Sequence, residues 1–162
     1  MDPIREARRQ WIEHGWDDSA DGMSMVTSIV RVHQLFLERI DAVLRPLDLT
    51  FARYEVLRLL AFTHSGSMTM TRLGSLLLVH PTSVTNAVDR LESQGYVSRS
   101  RSDADRRVVN AEITPTGRKV VEEATDGLNG EVFAQPGLDD AALGDLNTLL
   151  DALRLAGGDN LD

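Results

Sequence analysis

Between Met68 and Thr114 the periodicity of the chain changes twice, and this constrains the fold more than any other feature. "MTMTRLGSLLLV" is short and apolar at helical spacing, and "HP" (His80, Pro81) makes a tight turn after it. Pro81 suits the first position of a second helix, "PTSVTNAVDRLESQ", which Gly95 stops. Two short helices joined by a tight turn make a helix-turn-helix. The period then drops to two. "YVSRSR" and "RVVNAEIT" are rich in strand-favouring residues, with "SDAD" as the turn between them. A β-hairpin directly after a helix-turn-helix is a wing. The pattern predicts a mainly α chain with a small β-hairpin wing, a winged helix-turn-helix.

Helices are expected on both sides of this segment. Asp2 to His14 reads as a short helix with Pro3 in its first turn and Ile4, Ala7 and Trp11 on one face. "GWDDSADG" reads as a loop, followed by a long helix from Met23 to Arg45. Ile29, Val32, Phe36, Ile40, Val43 and Leu47 form its apolar stripe, and Pro46 ends it. Leu49 to Thr63 is a third helix, apolar enough to be covered on most sides, with Thr50 as N-cap. Beyond the wing, Thr114 caps a helix opened by Pro115 and bent by internal glycines. In the last helix Leu143, Leu146, Leu150 and Leu153 make one seam. It covers either a second subunit or the same one.

The chain has 162 residues, 42% hydrophobic and 26% charged, a single-domain length with enough apolar content for a core. It has no cysteine, which excludes disulfides, thiol nucleophiles and cysteine-ligated zinc. No apolar run approaches the roughly 18 residues of a membrane span. The N-terminus is charged in both signs without the apolar core of a signal peptide. A cytoplasmic protein is expected. Net charge is −8, yet Arg99, Arg101, Arg106 and Arg107 crowd into "RSRSDADRR", whereas Arg154 is the only basic residue after Glu122. An acidic total argues against non-specific nucleic-acid affinity but leaves room for a local basic site.

In the helix opened by Pro81, Val84, Val88 and Leu91 repeat at core spacing. Its other face offers Thr82, Ser83, Thr85, Asn86 and Arg90. Short hydroxyls and a helix N-terminus can meet phosphates, while Asn and Arg can read purine edges in a major groove. Taken alone, such a face is also that of an ordinary surface helix. The basic wing beside it favours DNA. Arg106 and Arg107, read at the start of the returning strand, would reach the minor groove. Asp103 or Asp105 would cap the turn or hold an arginine in place.

"TSVTNAVDRLESQGYVSR" and "DADRRVVNAEITPTG" resemble the MarR-type winged-helix regulators, the second matching that family's wing signature. The resemblance runs the length of the chain in helix order. It implies a single MarR-type domain: residues 49–117 a DNA-binding lobe, and residues 1–48 and 118–162 a helical dimerisation region. It implies a homodimer on a pseudo-palindromic double-stranded DNA operator, a repressor released by a small anionic or aromatic ligand. The extra first helix, "REARRQWIEH", with "FARYEVL", resembles the urate-responsive subgroup. That likeness implies a ligand site of Trp11, Glu55 and Arg99 for urate or a related carboxylate-like anion. The subgroup's second arginine is Ala87 here. An arginine facing an aromatic wall would clamp a planar anion. Trp11 reads equally as an anchor for the first helix, and Glu55 as an ion-pair partner for Arg53, Arg58 or Arg99.

His14, His33, His64 and His80 are scattered without metal-ligand spacing, so no metal and no cofactor are expected. His33 falls on the apolar stripe, where a satisfied core histidine is the commoner outcome, and His80 either caps the helix after it or touches phosphate. No paired nucleophile and base and no phosphate-cradling glycine loop point to an enzyme. The competing function is a winged helix used as a protein-interaction module without sequence-specific DNA binding.

Overall fold

The computed structural model describes residues 1–77 and 79–161. Helix α1 (Pro3–Glu13) starts where Asp2 accepts the Ile4 N–H, leaving its proline at a position where no donor is needed. It packs on α2 (Asp17–Leu44) with Trp11 edge-on to Trp16, ring centroids 5.2 Å apart. α2 thus begins six residues before the expected Met23. Asp17 and Asp18 favour a helix N-terminus electrostatically, and Ala20 becomes fully covered, which offsets the helix-weakening Gly22. His33 is exposed, not in a core.

A short 3₁₀ turn (Arg45–Leu47) ends the helix, and Asp48 takes left-handed geometry at φ 51°. Thr50 then caps α3 (Phe51–Phe62) by accepting the Arg53 N–H. Tyr54, Val56, Leu57 and Leu60 on α3 are buried and form the centre of the core. Strand β1 (Ser67–Thr69), too short to leave a period in the sequence, runs straight into α4 (Met70–Leu76). α5 (Pro81–Ser93) follows and buries Val84, Ala87, Val88 and Leu91 against α3.

Strands β2 (Val97–Arg101) and β3 (Val109–Ile113) form the hairpin, with Val97 opposite Ile113 and Arg101 opposite Val109. β1 adds to the other side of β3, giving the antiparallel order β1–β3–β2. This register leaves Arg106 and Arg107 in the turn, not at the start of the returning strand. α6 (Pro115–Leu128) leads into a π-helical turn (Asn129–Phe133), where the glycine-interrupted helix was expected to bend. Arg39 on α2 donates to the Glu131 and Gln135 carbonyls there, at 2.8 and 2.9 Å. α7 (Asp140–Ala156) has no buried residue. Among the described residues no helix is long and apolar enough to cross a membrane.

Candidate nucleic-acid interface

The two faces of α5 divide as its spacing dictates. With Val84, Val88 and Leu91 in the core, Thr82, Ser83, Thr85, Asn86 and Arg90 are exposed on the opposite side. His80 caps the helix: its Nδ1 accepts the Thr82 N–H at 3.2 Å. Pro81 supplies no donor, and Thr85 Oγ1 donates back to the Pro81 carbonyl. The N-terminus of α5 thereby presents hydroxyls and a positive helix end to solvent, a surface suited to an anionic backbone.

The wing stands beside this face. Asp105 organises its tip, its carboxylate accepting the Arg107 N–H at 3.0 Å and the Arg107 guanidinium at 3.2 Å. The Arg107 contact holds the Asp105 carboxyl below the usual carboxylate range. Arg101 donates to the Arg106 carbonyl at 2.7 Å, which closes the turn. The Arg106 side chain is exposed and has no hydrogen-bond or ion-pair partner among the described residues. Between the start of α4, α5 and the wing lies an open cavity of about 470 Å³, lined by Thr69, Thr71, Thr85, Arg99 and Arg107 among others.

Trp11, Glu55 and Arg99 lie on α1, α3 and β2, and no hydrogen bond or ion pair joins them among the described residues. Neither Trp11 nor Glu55 lines the cavity beside Arg99. Trp11 is half-buried against Trp16. Glu55 meets none of Arg53, Arg58 and Arg99; Arg58 pairs instead with Glu122 at 3.0 Å and lies 4.4 Å over the Phe62 ring. Partial burial without a cation raises the Glu55 carboxyl above its ordinary value. The Arg99 Nη2 lies 2.6 Å from both Asp89 Oδ1 and Glu92 Oε2 on α5. The Glu92 hydrogen bond, ahead of that from Asp89, raises the Arg99 pKa further.

Sequence reasoning passed over four residues that organise this face. Asp48 Oδ2 lies 3.4 Å from Arg90 Nη2 and accepts from the Gln94 amide at 3.1 Å. Its carbonyl accepts from Gln94 and Arg53 at 2.8 and 2.9 Å. Asp89 and Glu92 are the others. Their i, i+3 spacing on the helix before a basic strand was the available signal.

A helix-turn-helix whose second helix exposes a polar face beside a hairpin with a basic tip is a winged helix-turn-helix of the DNA-binding kind. The model of the MarR family matches residues 49–109. The crystal structure of Sco5413, a MarR family transcriptional regulator from Streptomyces coelicolor, is 43% identical. That match covers 85% of this chain and 96% of that one at a TM-score of 0.76. A second S. coelicolor regulator, Sco3205, solved in complex with DNA, shares the fold at 22% identity. Its TM-score is 0.75, with 87% of this chain and 90% of that one covered. The transcriptional repressor IacR of Pseudomonas putida is 25% identical over 77% of this chain and 74% of its own length. Against other curated regulators, from Bacillus subtilis, the chain spans about half of their length. The chain belongs to the MarR family of winged-helix transcriptional regulators.

Proposed function

We propose that the protein is a homodimeric repressor that binds a pseudo-palindromic DNA operator and is released by a small anion. The observation that carries this reading is the exposed row Thr82, Ser83, Thr85, Asn86 and Arg90 on α5, with the basic wing tip at its side. The helix enters the major groove, hydroxyls and helix N-terminus on phosphate, Asn86 and Arg90 on base edges. Arg106 and Arg107 take the flanking minor groove. Residues 49–117 act as the DNA-binding lobe, and residues 1–48 and 118–162 pair the subunits. The unburied leucines of α7 and the exposed apolar residues of α2 support the pairing. The acidic C-terminal helices then sit away from the DNA. A cytoplasmic location follows from the need to reach it.

Arg99 is the anion clamp, with Glu55 on α3 and Trp11 on α1 as further walls of the ligand site. An incoming urate-like anion or carboxylate competes with Asp89 and Glu92 for the guanidinium. The replaced carboxylates then add negative charge beside the DNA.

Selection from a random duplex library tests the first part. The expected product is an inverted repeat with half-sites about one helical turn apart. Arg106→Ala/Arg107→Ala should weaken binding and flatten its salt dependence by about one to two phosphate equivalents. An unchanged slope removes the wing from the interface, and a library that enriches nothing leaves the protein-interaction module. Thermal shift with urate, xanthine, tricarboxylates and phenolic acids tests the second part. A compound that releases DNA equally from Arg99→Ala protein excludes Arg99 from the site.

A further inference from the structure

Three arginines of the α5–wing face are matched by carboxylates of the same chain. Arg90 has Asp48 at 3.4 Å, Arg107 has Asp105 at 3.2 Å, and Arg99 has both Asp89 and Glu92 at 2.6 Å. The Arg99 cluster carries one carboxylate more than it has cations. These pairs are not core supports. The side chains of Asp48, Asp89 and Glu92 are 68%, 51% and 40% exposed, so each bond can be exchanged for another at little cost. A carboxylate offers an arginine the same charge and the same planar pair of acceptors as a phosphate.

We propose that Asp48, Asp89 and Glu92 are specificity-determining residues that occupy Arg90 and Arg99 and so deny them to the phosphates of non-cognate DNA. This rests on the DNA-binding reading above. Phosphate contact supplies nearly all non-specific affinity, because each cation that meets a phosphate releases counterions. An arginine already neutralised by a carboxylate releases few. Moving it onto DNA leaves an unpaired anion beside a polyanion. Only when the hydrogen-bonding face of α5 is in register with its bases do the additional contacts offset that penalty. Specificity is then obtained by raising the cost of the wrong sequence.

Asp48 is the cleanest position to probe. Asn tolerates left-handed geometry, and the Asp48 carbonyl keeps its bonds to Arg53 and Gln94 after the exchange. Binding of the full-length protein to the selected operator and to a random-sequence duplex is measured across salt concentrations. For Asp48→Asn, random-duplex affinity is expected to rise about threefold to tenfold and its salt slope to steepen by about one unit. Operator affinity rises less, so the ratio of the two falls. Adding Arg90→Ala should return the random-duplex slope to that of wild type. Asp89→Asn/Glu92→Gln, which clears both carboxylates from Arg99, gives the same erosion through the other cluster and carries the test should Asp48→Asn melt early. If wild type discriminates operator from random duplex and the variants match it in ratio and slope, this inference is overturned while the DNA reading stands. If wild type enriches no sequence, both are overturned.

Discussion

Glu55 sits half-buried on α3 with no cation to meet it among the described residues, and its carboxyl is shifted upward by burial. A raised folded-state value means that the fold prefers the neutral acid. Its favourable contribution is therefore present below the unfolded carboxylate value of about 4.3 and is lost as pH rises through the higher folded value. At pH 7 the ionised side chain costs stability. Glu55→Gln should raise the melting temperature at pH 7 by about a degree or two, with the gain vanishing near pH 4. Equal melting of variant and wild type at both pH values would contradict this. Asp105 has the opposite sign. The Arg107 contact lowers its folded value, so its contribution holds above about pH 3.9 and fades only as pH falls through the lower one. The two wing arginines differ in the same terms. Arg106 is free and Arg107 already neutralised, so in salt titrations with the operator Arg106→Ala should flatten the slope by about one unit and Arg107→Ala by less.

At the scale of elements, α6 is seated on the wing through Gly117. A Cβ there would collide with the Tyr96 carbonyl oxygen and lie 2.9 Å from Ile113 Cγ1, so backbone, not a flexible side chain, would have to yield. Thr114 makes the same joint from the other side, donating to the Gly95 carbonyl at 2.7 Å and accepting the Gly117 N–H at 3.0 Å. Gly117→Ala should therefore destabilise the fold by about 1–3 kcal/mol in urea unfolding, despite the better helix propensity of alanine. No loss would mean that the joint relaxes freely. Caps and punctuation of this kind were readable in advance: Thr50 and Thr114 cap helices, His80 takes the capping role of the two expected for it, and Gly95 turns at φ 78°. Local chemistry determines them. The start of α2 was not readable, because Gly22 and the aspartates look like a loop until α1 covers Ala20. β1 was hidden because three residues carry no period, and its existence depends on pairing with β3. The exposed row on α5 followed from spacing alone. The carboxylate holding Arg90 did not, since Asp48 lies more than forty positions from it and meets it only through the α3–α5 packing.

For the whole molecule, the distribution of apolar surface separates two regions. The core gathers α3, α5, β3 and the buried side of α6, while Met25, Ile29, Leu146, Leu149, Leu150 and Leu153 face an open cavity of about 410 Å³ between α2 and α7. Leu149 is 63% exposed, and the seam predicted from the leucine spacing lies at the surface of the single chain. A contiguous apolar surface of this kind is rarely left in water. A helix of 17 residues with nothing buried also has little tertiary support of its own. A second copy would provide both the cover and the support, and it would place two α5 helices on one duplex. Leu149→Asp/Leu153→Asp tests this directly. Light scattering should find a particle near the 17.9 kDa of one chain instead of twice that mass, and helical circular dichroism should fall as α7 frays. Operator affinity should drop about 100-fold or more, because the second half-site is no longer bound from an effective concentration set by the first. A variant that keeps the mass of two chains and full operator affinity would place the subunit contact elsewhere.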